Sequence, residues 1–374
     1  MQTFHLHLYL WSTEEADHED IDIYVRSFDA FFRIRYNRAL LGNSSLYSSF
    51  LNSLRILRGD NEKERAEEVE RLKKDFEPLM SELTARPPVA SSTNYLYNFL
   101  YPPWFVLNAT VAPDNMTMQP QCEKKIWRHD IDFPGGYIVP RRRECLLEPL
   151  ASVDLYSSRQ VRLLPSSSQG KLDPYLGGPG KVSVGDITCY FKAWEPGRGK
   201  HGATYHELQA YRKIANAIAE GKLPHDIRIS RLYGAVVDHD NDLPQHFPPA
   251  EHGPTSGKRL VGILLTYVEN KGTLYLTAPW SDVTEDRRLR WADELEILIR
   301  TLHGAGLVWG DAKPHNVLVD TMDNLWLIDF GGSFTQGWVD EEKRDTAEGD
   351  LQGLERIKNW LSKWSKKPVQ RFPV

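Results

Sequence analysis

Two stretches near the C-terminal end of this chain hold the residues best able to do chemistry together. Asp311, Lys313 and Asn316 lie within Trp309-Gly310-Asp311-Ala312-Lys313-Pro314-His315-Asn316-Val317-Leu318-Val319, and Asp329 follows in Leu325-Trp326-Leu327-Ile328-Asp329-Phe330-Gly331. Carboxylates and a carboxamide are hard oxygen donors for a magnesium-sized cation, a lysine is a compact charge for a phosphate, and a carboxylate can take up a proton. Gathered in one small volume, such a set suits the transfer of a phosphoryl group. Residues 317–319 and 325–328 read as two short strands with 320–324 as their turn, so the spacing predicts a hairpin that holds the two stretches side by side.

In this order and at this separation, the two stretches resemble the catalytic loop and the D-F-G segment of the eukaryotic-type protein-kinase family. The chain is similar to a short, divergent, fungal-type member. The resemblance implies that Asp311 orients or deprotonates the acceptor, that Lys313 meets the γ-phosphate, and that Asn316 and Asp329 hold Mg²⁺. It also implies an upstream lysine paired with a glutamate. Residues 182–184 and 187–194, joined by Gly185-Asp186, read as a hairpin whose second strand carries Lys192. The helical spacing of Leu208, Tyr211 and Ile214 presents Glu207 as its partner. Gly177, Gly178 and Gly180 stand where a phosphate-binding loop is expected, although the full G-x-G-x-x-G is missing and an ordinary turn is the alternative. Residues 262–269 resemble the strand that enters the hinge, with Leu265 as gatekeeper and the Thr266 C=O and Val268 N–H facing adenine.

The sequence departs from the family at two places. Trp309-Gly310 replaces the usual His-Arg, so no arginine stands ready to read a phosphorylated activation segment. No A-P-E follows Asp329, and residues 349–354 resemble the helix whose aspartate, here Asp350, ties down the catalytic loop. The resemblance spans about residues 151–365 and implies an α+β, protein-kinase-like two-lobed fold with a truncated C-lobe. The expected domains are an N-terminal extension at 1–150, an N-lobe at 151–270 and a short C-lobe at 271–374.

The elements that must position these residues are less explicit upstream. Phe4, Leu6, Leu8 and Leu10 alternate with polar residues as in a half-buried strand. Residues 24–57 and 62–85 predict a helical pair joined at Gly59-Asp60-Asn61, with Val69, Leu72, Phe76, Leu79/Met80 and Leu83 on the inner face. Glu67–Arg71 and Glu70–Lys74 would pair on the wet face, and Pro78 would kink or divide the second helix. From 87 to 150 the sequence is rich in proline and aromatics and reads as an irregular packed connector, with Arg141–Arg143 as a solvated run. Residues 166–170 and 243–249 read as loop insertions.

Composition restricts the possible functions. The 374 residues are 41% hydrophobic and 26% charged, with a formal charge of −5, which argues against nucleic acid or an anionic membrane as the main partner. Three cysteines, Cys122, Cys145 and Cys189, lack paired C-x-x-C spacing and suggest thiols in a reducing compartment. No apolar run is long enough to span a bilayer, no secretory signal opens the chain, and the sequons at Asn43, Asn108 and Asn115 read as chance. The expected protein is a cytoplasmic, ATP- and Mg-dependent phosphotransferase whose acceptor is a small molecule or a specific carrier protein. Two alternatives stay open at this level: a pseudokinase acting as a binding or scaffold module, and AMP transfer or carboxylate activation on the same fold.

Overall fold

The computed structural model describes residues 5–11, 20–27, 30–42, 44–84, 95–113, 116–126, 153–164, 180–193, 203–239, 258–280 and 282–366. Of these, residues 5–126 form one compact unit and residues 153–366 another. Gly177, Gly178, Arg141–Arg143, Cys145 and both predicted loop insertions lie outside the described residues.

The first unit is a five-stranded sheet with the helices of residues 38–84 packed on one face. Its elements are β1 (His5–Trp11), β2 (Asp20–Arg26), β3 (Phe31–Asn37), α1 (Arg38–Leu41), α2 (Tyr47–Arg58), α3 (Glu62–Lys74), α4 (Glu77–Thr84), α5 (Leu96–Leu100), β4 (Trp104–Val111) and β5 (Met118–Ile126). The strands lie in chain order, with β3 and β4 parallel and the other neighbours antiparallel. The helix expected from residue 24 is therefore corrected: residues 20–26 and 31–37 are strands, and helix begins only at Arg38. The reason is period two. Ile21, Ile23 and Val25, with Phe32, Ile34 and Tyr36, all turn toward the helical layer, while Asp22 and Arg33 form a 2.6 Å ion pair on the other face.

The second predicted helix is divided as expected. Phe76 and Met80 pack with Val69 and Leu72 in the core, and Pro78 occupies the first turn of α4, where its missing N–H costs no hydrogen bond. The Asn61 side chain caps α3 by accepting from the backbone N–H of Lys63 and Glu64. Its ion pairs differ from expectation, because Arg71 meets Glu68 and Lys73 meets Glu70, both three residues apart. The irregular connector is corrected as well. Residues 104–111 and 118–126 complete the sheet, with Trp104 stacked on Phe31 at 4.2 Å and Phe105 on Phe32 at 5.4 Å.

The second unit contains β6 (Leu155–Tyr156), β7 (Val161–Leu163), β8 (Lys181–Val184), β9 (Ile187–Ala193), α6 (Ala203–Ala219), β10 (Leu232–His239), β11 (Lys258–Thr266), β12 (Asn270–Thr273), α7 (Leu274–Thr277), α8 (Glu285–Gly304), β13 (Val317–Asp320), β14 (Leu325–Leu327) and α9 (Ala347–Lys366). A six-stranded sheet runs β6-β10-β11-β9-β8-β7, and a three-stranded sheet runs β12-β13-β14. One core joins α6, β10 and β11 to α8, α9 and the small sheet, with Tyr211, Trp291 and Trp309 fully enclosed. Each large apolar side chain so enclosed contributes about 1.5–3 kcal/mol, so this core is what fixes the small sheet and its flanking loops. The mixed helix and sheet content is α+β, as the sequence implied.

Candidate active site

The β8–β9 hairpin turns at Gly185 and places Lys192 near the end of β9. Its Nζ lies 2.8 Å from Oε2 of Glu207, on α6, and 2.8 Å from Oδ1 of Asp329. Glu207 is buried, with 1% exposure. Burial alone would lower the Lys192 pKa, but the Glu207 and Asp329 carboxylates outweigh it and raise the pKa above its ordinary value. Burial pushes the Glu207 carboxyl up, and Lys192 offsets part of that rise. The lysine is therefore held as a cation between two carboxylates. Asp329 has a left-handed backbone, with φ of 61°, a conformation uncommon for a non-glycine residue and found preferentially where a side chain must be aimed.

Asp311, Lys313 and Asn316 come together just before β13. Lys313 Nζ donates to Asp311 Oδ2 at 2.5 Å and to Thr335 Oγ1 at 2.9 Å, and the Thr335 hydroxyl donates to Asp311 Oδ1 at 2.9 Å. Asn316 Nδ2 donates to the Asp311 carbonyl at 3.1 Å, which leaves its carboxamide oxygen as a donor atom for a cation. The Ile328 N–H donates to the Asn316 carbonyl at 3.0 Å and so ties this loop to the residue before Asp329. Thr335 was missed from the sequence because it lies 24 residues from Asp311 in a segment without regular structure. No local pattern marks it.

The loop is held from below by Asp350, which is 1% exposed. Its Oδ2 accepts from the Trp309 N–H and its Oδ1 from the Gly310 N–H, each at 2.8 Å, and His303 Nε2 lies 2.9 Å away. Trp309 Nε1 donates to the Ile328 carbonyl at 2.9 Å, so the indole links the two stretches. Gly310 has φ of 98°, and a Cβ there would lie 3.0 Å from the Gly332 Cα. A side chain at this position would therefore be strained.

The remaining predicted positions are spread along the sheet. Leu265 is buried opposite Tyr190, Thr266 is exposed with its hydroxyl bonded to the backbone of Arg231, and Val268 is buried with its carbonyl accepting from Asn270. The Gly180 carbonyl accepts from the Phe191 N–H, so Gly180 pairs with β9. Among the described residues, no three His, Cys, Asp or Glu side chains cluster as a metal cage. A carboxylate with a carboxamide nonetheless fits Mg²⁺, which keeps water and phosphate oxygens in most of its coordination positions.

A half-buried lysine held between two carboxylates, with a loop that gathers an aspartate, a lysine and an asparagine, is a kinase-like arrangement of side chains. Residues 264–373 match the family model "Lipopolysaccharide kinase (Kdo/WaaP) family". A further match is the "Probable cAMP-dependent protein kinase catalytic subunit" of Encephalitozoon cuniculi, 32% identical over 73 residues, which are 20% of this chain and 23% of that protein. The chain thus spans about a quarter of that relative's length. No helix among the described residues is long and apolar enough to cross a membrane.

Proposed function

We propose that the protein is an ATP- and Mg-dependent phosphotransferase in which the six-stranded sheet with α6 acts as an N-lobe and residues 271–366 act as a short C-lobe. The observation that carries this reading is the Lys192 bridge between Glu207 and Asp329, a cation suited to meet the α- and β-phosphates of ATP. Asn316 and Asp329 would hold Mg²⁺, which supplies charge to neutralise the phosphates. Asp311 orients the acceptor hydroxyl and takes its proton as the acceptor oxygen bonds to the γ-phosphorus and the bond to the ADP oxygen breaks. Lys313 is released from Asp311 to meet the charge of the transferring group, and Thr335 keeps the Asp311 carboxylate in place as it does so.

The acceptor is a small molecule or a specific carrier. The match to a family named for lipopolysaccharide kinases supports a non-protein acceptor, as does an exposed aromatic face beside the loop, where Tyr275 stacks on His315 at 3.9 Å. Mass spectrometry of the nucleotide formed from Mg-ATP tests the reading. ADP is expected from the wild type, and Asp329→Ala should abolish turnover. Asp311→Asn should abolish transfer while nucleotide binding persists. AMP as the product, or full transfer by Asp311→Asn, would overturn the assignment, and efficient phosphorylation of casein or histone would overturn the acceptor class.

A further inference from the structure

We propose that a cavity beside α6, separate from the cluster at Lys192, binds a small organic anion: one acidic group carried on an apolar ring or short chain. The cavity holds about 790 Å³, a size common for small-molecule sites, and every residue lining it belongs to the second unit. No member of the Lys192–Glu207–Asp329 bridge lines it, and neither do Asp311, Lys313 or Asn316. Its first wall is one face of α6. His206, Gln209, Ala210 and Lys213 recur at steps of three and four residues, while Glu207, Leu208 and Tyr211 are buried on another face of the same helix. The other walls come from residues 306–310, which lead into Asp311, from residues 330–334, which follow Asp329, and from Arg344 with Asp345.

The charges on these walls select the sign of the ligand. Lys213, Arg344 and the titratable His206 stand against a single carboxylate, Asp345, whose Oδ1 already accepts from the Ser333 N–H at 2.8 Å. Neither Lys213 nor Arg344 has an ion-pair partner among the described residues, so both cations are available to an incoming anion. Ile214, Leu307, Phe330 and Phe334 supply apolar surface beside them, which suits a ring or chain better than a bare inorganic ion. Backbone forms much of the remaining wall. Gly306, Gly310 and Gly332 have φ of 75°, 98° and 73°, and Ser333 and Asp345 have φ of 105° and 56°. Left-handed residues other than glycine store strain and gather at ligand clamps, and here two of them line one cavity. A Cβ at Gly332 would lie 2.5 Å from Asp345 Oδ1, so that stretch of wall stays free of a side chain.

Calorimetric titration of the full chain with phenyl phosphate, phenol and inorganic phosphate tests the site. Phenyl phosphate carries both the ring and the charge, and each of the other two probes carries one of them. The wild type should bind phenyl phosphate at one site per chain. Phenol should bind about 5- to 30-fold more weakly, because it forgoes two charge contacts at exposed cations. Inorganic phosphate should bind about tenfold more weakly or worse, because it buries no ring. The double variant Lys213→Gln, Arg344→Gln should lose about 5- to 30-fold for phenyl phosphate and nothing for phenol. Both positions are exposed, so its denaturant midpoint should match the wild type. Lys192→Met should keep the wild-type affinity for phenyl phosphate. Absence of saturable binding, or equal affinity in the double variant and the wild type, would overturn the site. So would a loss in Lys192→Met that the double variant does not share, because the anion would then sit on the nucleotide cluster. The phosphotransferase reading is tested separately by Mg-ATP, whose failure to bind would leave the phenyl phosphate result untouched.

Discussion

Replacing Gly310 with alanine isolates what a side chain at this position costs. The residue has φ of 98°, and a non-glycine residue in a sparsely populated region of this kind costs about 1–3 kcal/mol. A Cβ would also meet the Gly332 Cα at 3.0 Å and Asp345 Oδ1 at 3.2 Å. The first neighbour is backbone, and the second is anchored because Asp345 Oδ1 accepts from the Ser333 N–H at 2.8 Å. Neither can yield cheaply, and forcing an extra methyl into packed surroundings adds about 1–3 kcal/mol. Gly221 provides the reference. Its φ is 71°, but a Cβ there meets nothing within 4 Å, so Gly221→Ala carries only the conformational cost, about 1–2 kcal/mol. Urea unfolding followed by tryptophan fluorescence should place Gly310→Ala about 1–3 kcal/mol below Gly221→Ala, with m unchanged. Trp291 and Trp309 are fully buried in the same unit and report its unfolding. If Gly310→Ala were no more destabilising than Gly221→Ala, the steric argument at Gly310 would be wrong.

Asp350→Ala should strand the buried Trp309 and Gly310 amides, at about 1–3 kcal/mol each, and Asp350→Asn should fall between it and the wild type because one oxygen acceptor remains; denaturant unfolding checks the order. Cys189 should resist iodoacetamide at pH 8 under conditions that label the exposed Cys122, because burial pushes the Cys189 thiol up to about 11, and peptide mass mapping reads the difference. The sign follows from a folded pKa above the ordinary value of 9.0: the stabilisation that Cys189 contributes as a thiol is held below about pH 9 and lost as pH rises through about 11. Labelling of Cys189 at the same rate as Cys122 at pH 8 would contradict both statements.

How much of this was legible in the sequence depended on the range of the interactions involved. The hairpin at 317–327, the strand bearing Lys192 and the helix bearing Glu207 are local, and turn residues with short apolar periods marked all three. In the first unit residues 20–37 place apolar side chains at period two, and the pairing of β2 with β3 and of β3 with β4 buries that face. Tertiary structure alone decided which side chains met. Lys192 reaches Asp329 across 137 residues, Asp350 reaches the Trp309 amide across 41, and Thr335 joins Asp311 across 24. Sequence by itself determined the residue types and the local elements of this site, because backbone hydrogen bonds and apolar periodicity act over a few residues. The ion-pair bridge, the clamp beneath the loop and the left-handed Gly310 were decided by the fold, because each needs atoms that only the closed core brings within hydrogen-bond range.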